Sequence, residues 1–222
     1  MSKTLSFIFL FPLLIACTNN VYETGDARYS YLRTDFVEGK TDHQARITSA
    51  ITDDGTSLTF TQPLQVNWKL TPNSLCRTML YYNMYANGTD STTVEPLSAE
   101  MIYTLNPVKV PAKSTIHTDP VNFISAWKSK NGNYLNFCVG IKTSSSGDKN
   151  RGQTIGAVLD SVVERGGKPV YYIRFVHDQG SVPQYYTVDT YVSIPTKKMT
   201  TGSGVRLSLN TYSGWIVREF TW

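Results

Sequence analysis

Charged side chains are scarce in this 222-residue chain, at 17% of residues against about 25% in an ordinary soluble domain. That shortage excludes a helical bundle clothed in salt bridges, and no stretch sustains the apolar period of about 3.6 residues that a helix needs. Histidine is rarer still. His43, His117 and His177 stand far apart, and no two have the spacing of a zinc finger or a zinc-binding helix. No metal or other cofactor is expected. Three cysteines, Cys17, Cys76 and Cys138, are too few for a disulfide-stapled miniature fold, and the chain is long enough to bury a core without staples. A formal charge of +4 is too small to point to a nucleic-acid partner. Catalytic signatures are missing as well. Ser125 lacks a Gly-x-Ser-x-Gly elbow, Gly152 and Gly156 do not open a phosphate-binding loop, and Asp53-Asp54 precede Gly55, where aspartate serves a turn. No catalytic residue is assigned.

What is present favours strands. The chain carries 14 Tyr and 9 Phe, residues that suit a pleated, half-buried surface. Alternation runs through Tyr29–Val37, through Ile47, Ser49 and Ile51, and, after the Thr52-Asp53-Asp54-Gly55 turn, through Leu58 and Phe60. It resumes at Val66, Trp68 and Leu70, in Leu75–Tyr85, and in Ala99, Met101, Tyr103 and Leu105. This predicts a five-stranded OB-like barrel over 28–106. Pro107 and Pro111 interrupt the pattern and mark a boundary. Beyond it, strands are predicted at 134–142, 154–163, 169–176, 185–194, 205–210 and 215–222. Together they read as an antiparallel β-sandwich over 107–222, with Trp127 as its plug and a short turn of helix within 119–127. In the doublets Tyr171-Tyr172 and Tyr185-Tyr186, one ring is expected to face inward and the other outward. Cys76 and Cys138 fall in different units and are expected as buried free thiols.

The first residues carry a targeting signal. Lys3 precedes an apolar run from Ser6 to Ala16, too short to remain as a membrane span, and the run ends in Leu14-Ile15-Ala16-Cys17. That ending resembles the bacterial lipobox, so 1–16 reads as a signal peptide and Cys17 as the lipidated residue, with 17–27 as a polar tether. The lipid makes a membrane the first partner, about 0.8 kcal/mol being gained per buried CH₂.

Several stretches taken together resemble the NigD-like lipoproteins of Bacteroides and relatives: Gly25-Asp26 with Tyr29–Val37, the Thr52–Gly55 turn, Cys76-Arg77 with Leu80–Asn83, Asp119–Val121 through Trp127 to Asn133–Asn136, and the closing Phe220-Thr221-Trp222. The resemblance implies an OB-like N-terminal barrel, an immunoglobulin-like C-terminal β-sandwich, and an immunity-like role proposed from a bacteriocin locus. Surface-exported members carry an acidic cluster after the lipidated cysteine. Thr18-Asn19-Asn20-Val21 is neutral, which favours the periplasmic side of the outer membrane. Three functions stay open. The first is a non-enzymatic envelope protein that binds or assembles with a partner. The second is a glycan-binding lipoprotein using Trp68, Tyr81 and Tyr85 as stacking rings, and the third is a hydrolase whose site only folding would assemble.

Overall fold

The computed structural model describes residues 31–84, 92–144 and 152–222. Cys17 with the apolar run and tether, and Tyr85, lie outside the described residues. Among the described residues the regular structure consists of thirteen strands.

The first five are β1 (Leu32–Thr41), β2 (Ile47–Thr52), β3 (Ser57–Leu64), β4 (Leu75–Met84) and β5 (Thr93–Met101). They close into a barrel in the order β1-β2-β3-β5-β4, with β1 pairing on both sides. Gly39 of β1 lies between Ala50 of β2 and Cys76 of β4, where the strands pack closely. A Cβ at Gly39 would stand 3.0 Å from Ile47 Cγ2 and 3.2 Å from Cys76 Sγ, so any larger residue would press both side chains aside by a few tenths of an ångström. Alternating side chains fill the interior: Val37, Ile47, Ala50, Leu58, Leu80, Tyr82 and Val94. Tyr82 satisfies its buried hydroxyl by donating to Asp35 Oδ2 at 2.7 Å.

The remaining strands are β6 (Tyr103–Thr104), β7 (Asn122–Lys128), β8 (Tyr134–Thr143), β9 (Thr154–Arg165), β10 (Lys168–Asp178), β11 (Tyr186–Pro195), β12 (Gly204–Thr211) and β13 (Gly214–Thr221). They make two four-stranded sheets, β6-β11-β8-β7 and β13-β12-β10-β9. The sheets share one core, in which Leu135, Phe137, Val139, Val192 and Ile194 of the first meet Ile173, Phe175, Val205, Leu207 and Leu209 of the second. The Phe137 and Phe175 rings meet edge to face at 5.4 Å. Gly166 and Gly167, with φ of 57° and 74°, make the two-residue turn that joins β9 to β10.

Four local expectations need correction. Val66, Trp68 and Leu70 form no strand. Val66 and Leu70 pack against the barrel core, so their alternation records burial without a ladder partner. The alternation from Ala99 to Leu105 is two strands: Ala99 lies in β5 within the barrel, whereas Tyr103-Thr104 pair with Val192-Ser193 of β11. Sheet pairing therefore ends for the barrel at Met101 and begins for the second set of sheets at Tyr103. The expected helical turn in 119–127 is the strand β7, because the edge of β8 takes it up through a bulged antiparallel ladder. Finally, the sheets are not wholly antiparallel, since β10 pairs with β12 and β11 with β6 in parallel.

Candidate functional site

β8 is buried on both faces. Leu135, Phe137, Val139 and Ile141 enter the core between the sheets, which by the two-residue period sends Tyr134 and Asn136 the other way. There they meet the barrel around Arg77 of β4, whose side chain is only 2% exposed. The guanidinium donates from Nε to Ser193 Oγ (3.1 Å) and from Nη2 to Asp53 Oδ2 (2.7 Å) and Asn136 Oδ1 (3.1 Å). Its partners bond one another too. Ser193 Oγ donates to Asn136 Oδ1 at 2.7 Å, and Asn136 Nδ2 donates to Asp53 Oδ2 at 2.8 Å. The Tyr134 ring covers the cation at 4.0 Å. Nη1 of Arg77 and Oδ1 of Asp53 are buried without a protein partner.

The rim of this junction is aromatic and ionic. Phe36 of β1 meets Trp127 edge to face at 5.3 Å and Tyr191 at 5.5 Å. Trp127 thus seals the seam between barrel and sheets and is not the interior plug expected of it. Glu38 accepts from Tyr134 Oη and from Lys197 Nζ, the latter at 2.7 Å. Burial alone would raise the Glu38 pKa, but the hydrogen bonds from Lys197 and Tyr134 outweigh it and hold the carboxyl below its ordinary value. Burial, followed by the Glu38 carboxylate, pushes the Tyr134 phenol up. The turn 129–133 also reaches the barrel, Asn131 N donating to Asp53 O at 2.8 Å.

The sequence gives Asp53 only a turn role and Arg77 only a place in the family resemblance, and neither is expected at a junction. The signal was a redundancy. One aspartate suffices for the turn, and Asp54 fills that role by accepting from Thr52 Oγ1 and Thr56 N, which holds its pKa at about 2. Asp53 is therefore released for Arg77, itself a lone charge in a strand otherwise rich in apolar residues.

The stacking candidates are placed differently from one another. Trp68 is half-buried in the connection between β3 and β4, and Tyr81 is half-buried on β4 with its hydroxyl donated to Glu100 Oε1 at 3.1 Å. Tyr85 lies outside the described residues. Of the doublets, Tyr171 packs against the inter-sheet core while Arg206 lies 5.4 Å over the Tyr172 ring. Tyr185 and Tyr186 are both exposed, at 80% and 46%, so no ring of that pair is inside. Both strand cysteines are free. Cys138 is buried, Cys76 only half-buried, and burial first of all pushes each thiol up to about 11.

His43 and His117 are exposed, whereas His177 is 2% exposed on β10. Its Nδ1 lies 3.3 Å from the Asp119 carbonyl and its Nε2 lies 3.1 Å from Gln153 Nε2, an amide nitrogen that also donates to Lys142 O. A carbonyl can only accept, so the network assigns the proton to Nδ1 and a neutral ring to the folded state. Burial lowers its pKa, against the opposing pull of Asp119 and Asp178. Below a pH of about 6.5 the unfolded imidazole therefore takes up a proton that the folded one refuses. Stability is expected to be level above that pH and to fall below it by up to about 1.4 kcal/mol per pH unit, until the folded pKa is reached. Urea titrations from pH 7.5 to 5 on the parent chain and on His177→Gln check this. Equal slopes in the two would refute it.

Two open cavities adjoin the edge strands β6 and β9. One of about 580 Å³ is lined by Leu105, Val108, Ile116, Ile155 and Val176, and the other of about 370 Å³ by Tyr103, Ile141 and Val188, with Leu105, Thr154 and Ile155 common to both. A third, of about 320 Å³, is basic and lies beside the junction. Among the described residues no group of three or more His, Cys, Asp or Glu is placed to hold a metal ion.

The architecture defines an all-β protein in which a closed five-stranded barrel is locked by a buried arginine onto a pair of four-stranded sheets. Among solved structures it is similar to a NigD-like immunity protein from Bacteroides caccae, at a TM-score of 0.66 and 23% identity, over 85% of this chain and 96% of that one. A candidate toxin-related protein from Parabacteroides distasonis matches at a TM-score of 0.62 and 17% identity, over 86% and 93%. A candidate lipoprotein from Bacteroides fragilis matches at 0.58 and 10%, over 85% and 96%. No family profile matches the chain, and no curated protein matches it in sequence.

Proposed function

We propose that the chain is a non-enzymatic lipoprotein of the bacterial cell envelope that acts by binding or assembling with an envelope partner, in an immunity-like role. The observation that carries this reading is the likeness in fold to the NigD-like immunity protein over 85% of this chain. The finer fold reading belongs with it. The strand order β1-β2-β3-β5-β4, with β3 and β5 parallel, supports an OB-like barrel. The shared core of the two sheets supports an immunoglobulin-like sandwich, with the division between the units near residue 106. Exposed Tyr185, Tyr186 and Tyr103 supply aromatic surface of the kind that partners use. The lipid at Cys17 would hold the protein on the periplasmic side of the outer membrane and raise its effective concentration there.

The full chain and its Cys17→Ser variant, expressed in a bacterial host, test the anchor. Mass spectrometry should find an acylated Cys17 as the first residue of the mature chain, with that protein in the membrane fraction and the variant released from it. An unmodified N-terminus, or turnover of ester, amide or glycoside substrates by the purified chain, would overturn the reading. Resistance to protease added to intact cells is the result expected for the periplasmic side.

A further inference from the structure

The basic pocket of about 320 Å³ beside the junction is lined by Lys128, Lys130, Lys197, Asn133, Thr201 and the ring of Trp222, and no Asp or Glu lines it. Its frame is fixed by bonds that consume acceptors. The Gly132 carbonyl accepts both Trp222 Nε1 (2.7 Å) and Thr196 Oγ1 (2.8 Å), which pins the indole in the wall. The Thr221 carbonyl accepts Lys128 Nζ at 2.8 Å, holding that ammonium 5.4 Å from the Trp222 ring centre. The Asn133 carbonyl accepts Thr196 N at 2.8 Å, and the Trp222 backbone oxygen accepts the Gly202 N–H. Glu38, from the barrel, takes Lys197 through both carboxylate oxygens.

The surplus left after these bonds is in donors. An ammonium group has three N–H bonds. Lys128 has given one to Thr221, Lys197 has turned two contacts to Glu38, and Lys130 is exposed at the mouth. Of the three ammonium groups only that of Lys197 is bonded to a carboxylate side chain among the described residues, so the pocket favours a ligand rich in acceptors and negatively charged. The indole wall adds a second requirement, a flat apolar face of C–H groups to lie on it, which a bare anion lacks. Sugars have that face, and the volume falls at the small end of ligand pockets.

We propose that this pocket binds an acidic sugar, a pyranose bearing a carboxylate or a phosphate, with its ring against Trp222 and its anionic group at Lys128 and Lys130. The site is separate from the barrel aromatics and does not depend on the lipid anchor. Loss of sugar binding would leave the anchored, partner-binding reading standing, since that reading is tested at Cys17.

Calorimetry and saturation-transfer NMR on the full chain in detergent micelles, with glucuronate, glucose 6-phosphate, glucose and inorganic phosphate as probes, test it. Either acidic sugar is expected to bind at least about tenfold more tightly than glucose, because a charge-assisted hydrogen bond contributes that much or more, and more tightly than phosphate, which has no ring to set against Trp222. Preference for glucuronate would point to a uronate-bearing glycan as the source, and preference for glucose 6-phosphate to a phosphosugar headgroup. Lys130→Glu, a surface change that leaves the frame intact, should weaken binding by about tenfold or more, and so should Trp222→Ala. Glucose binding as tightly as glucuronate would overturn the proposal, as would phosphate matching glucose 6-phosphate, or affinity unmoved by Lys130→Glu.

Discussion

Replacing Arg77 by alanine is expected to lower the stability of the whole molecule by about 3–5 kcal/mol, the usual penalty for removing one partner of a buried ionic cluster. The guanidinium is enclosed by Asp53, Asn136, Ser193 and the Tyr134 ring, drawn from both sides of the junction. Truncation leaves the Asp53 carboxylate at the seam without its cation and empties the space beneath Tyr134. Arg77→Met keeps the stem and its packing but not the charge, so its loss should be smaller than that of alanine, and Arg77→Met with Asp53→Asn should recover part of it. Urea unfolding followed by tryptophan fluorescence reads the effect. A loss under about 1 kcal/mol for Arg77→Ala would show that the cluster does not hold the barrel to the sheets.

The second large effect is expected at Phe137. It is fully buried at the centre of the inter-sheet core, edge to face with Phe175 at 5.4 Å. Phe137→Ala removes that contact and opens a cavity in the shared core of the two sheets, for a loss of about 3–5 kcal/mol. The two variants together separate a local role from a shared one. If the junction couples barrel and sheets, Phe137→Ala should lower a single unfolding transition seen equally by Trp68 next to the barrel and Trp215 on β13. Two separated transitions would show that the units unfold independently.

Much of the strand pattern was legible because alternation is a local property. The segments that became β8 to β13 announce themselves by period two and by turn residues such as Gly166-Gly167, and the barrel strands β1 to β4 do so equally. Where reading along the chain failed, the deciding partner was remote. Alternation in 66–70 and 99–105 was real, but whether a segment pairs depends on which strand lies beside it, and β6 found its neighbour in β11. The 119–127 segment is too short for periodicity to tell helix from strand, and the open edge of β8 decided it.

The sequence by itself determined an all-β chain, a run ending in Leu14-Ile15-Ala16-Cys17, and the lack of local catalytic or zinc motifs, since each of these is written in neighbouring residues. Only the tertiary structure decided what the polar face of β8 is for. The partners of Arg77 lie 24, 59 and 116 residues away along the chain, at Asp53, Asn136 and Ser193. Likewise, the basic pocket joins the chain around 128–133 to Lys197 and Trp222. No spacing rule reaches across such separations. These groups meet only because barrel closure and sheet pairing fix where each strand lies, and burial then makes their pairing obligatory.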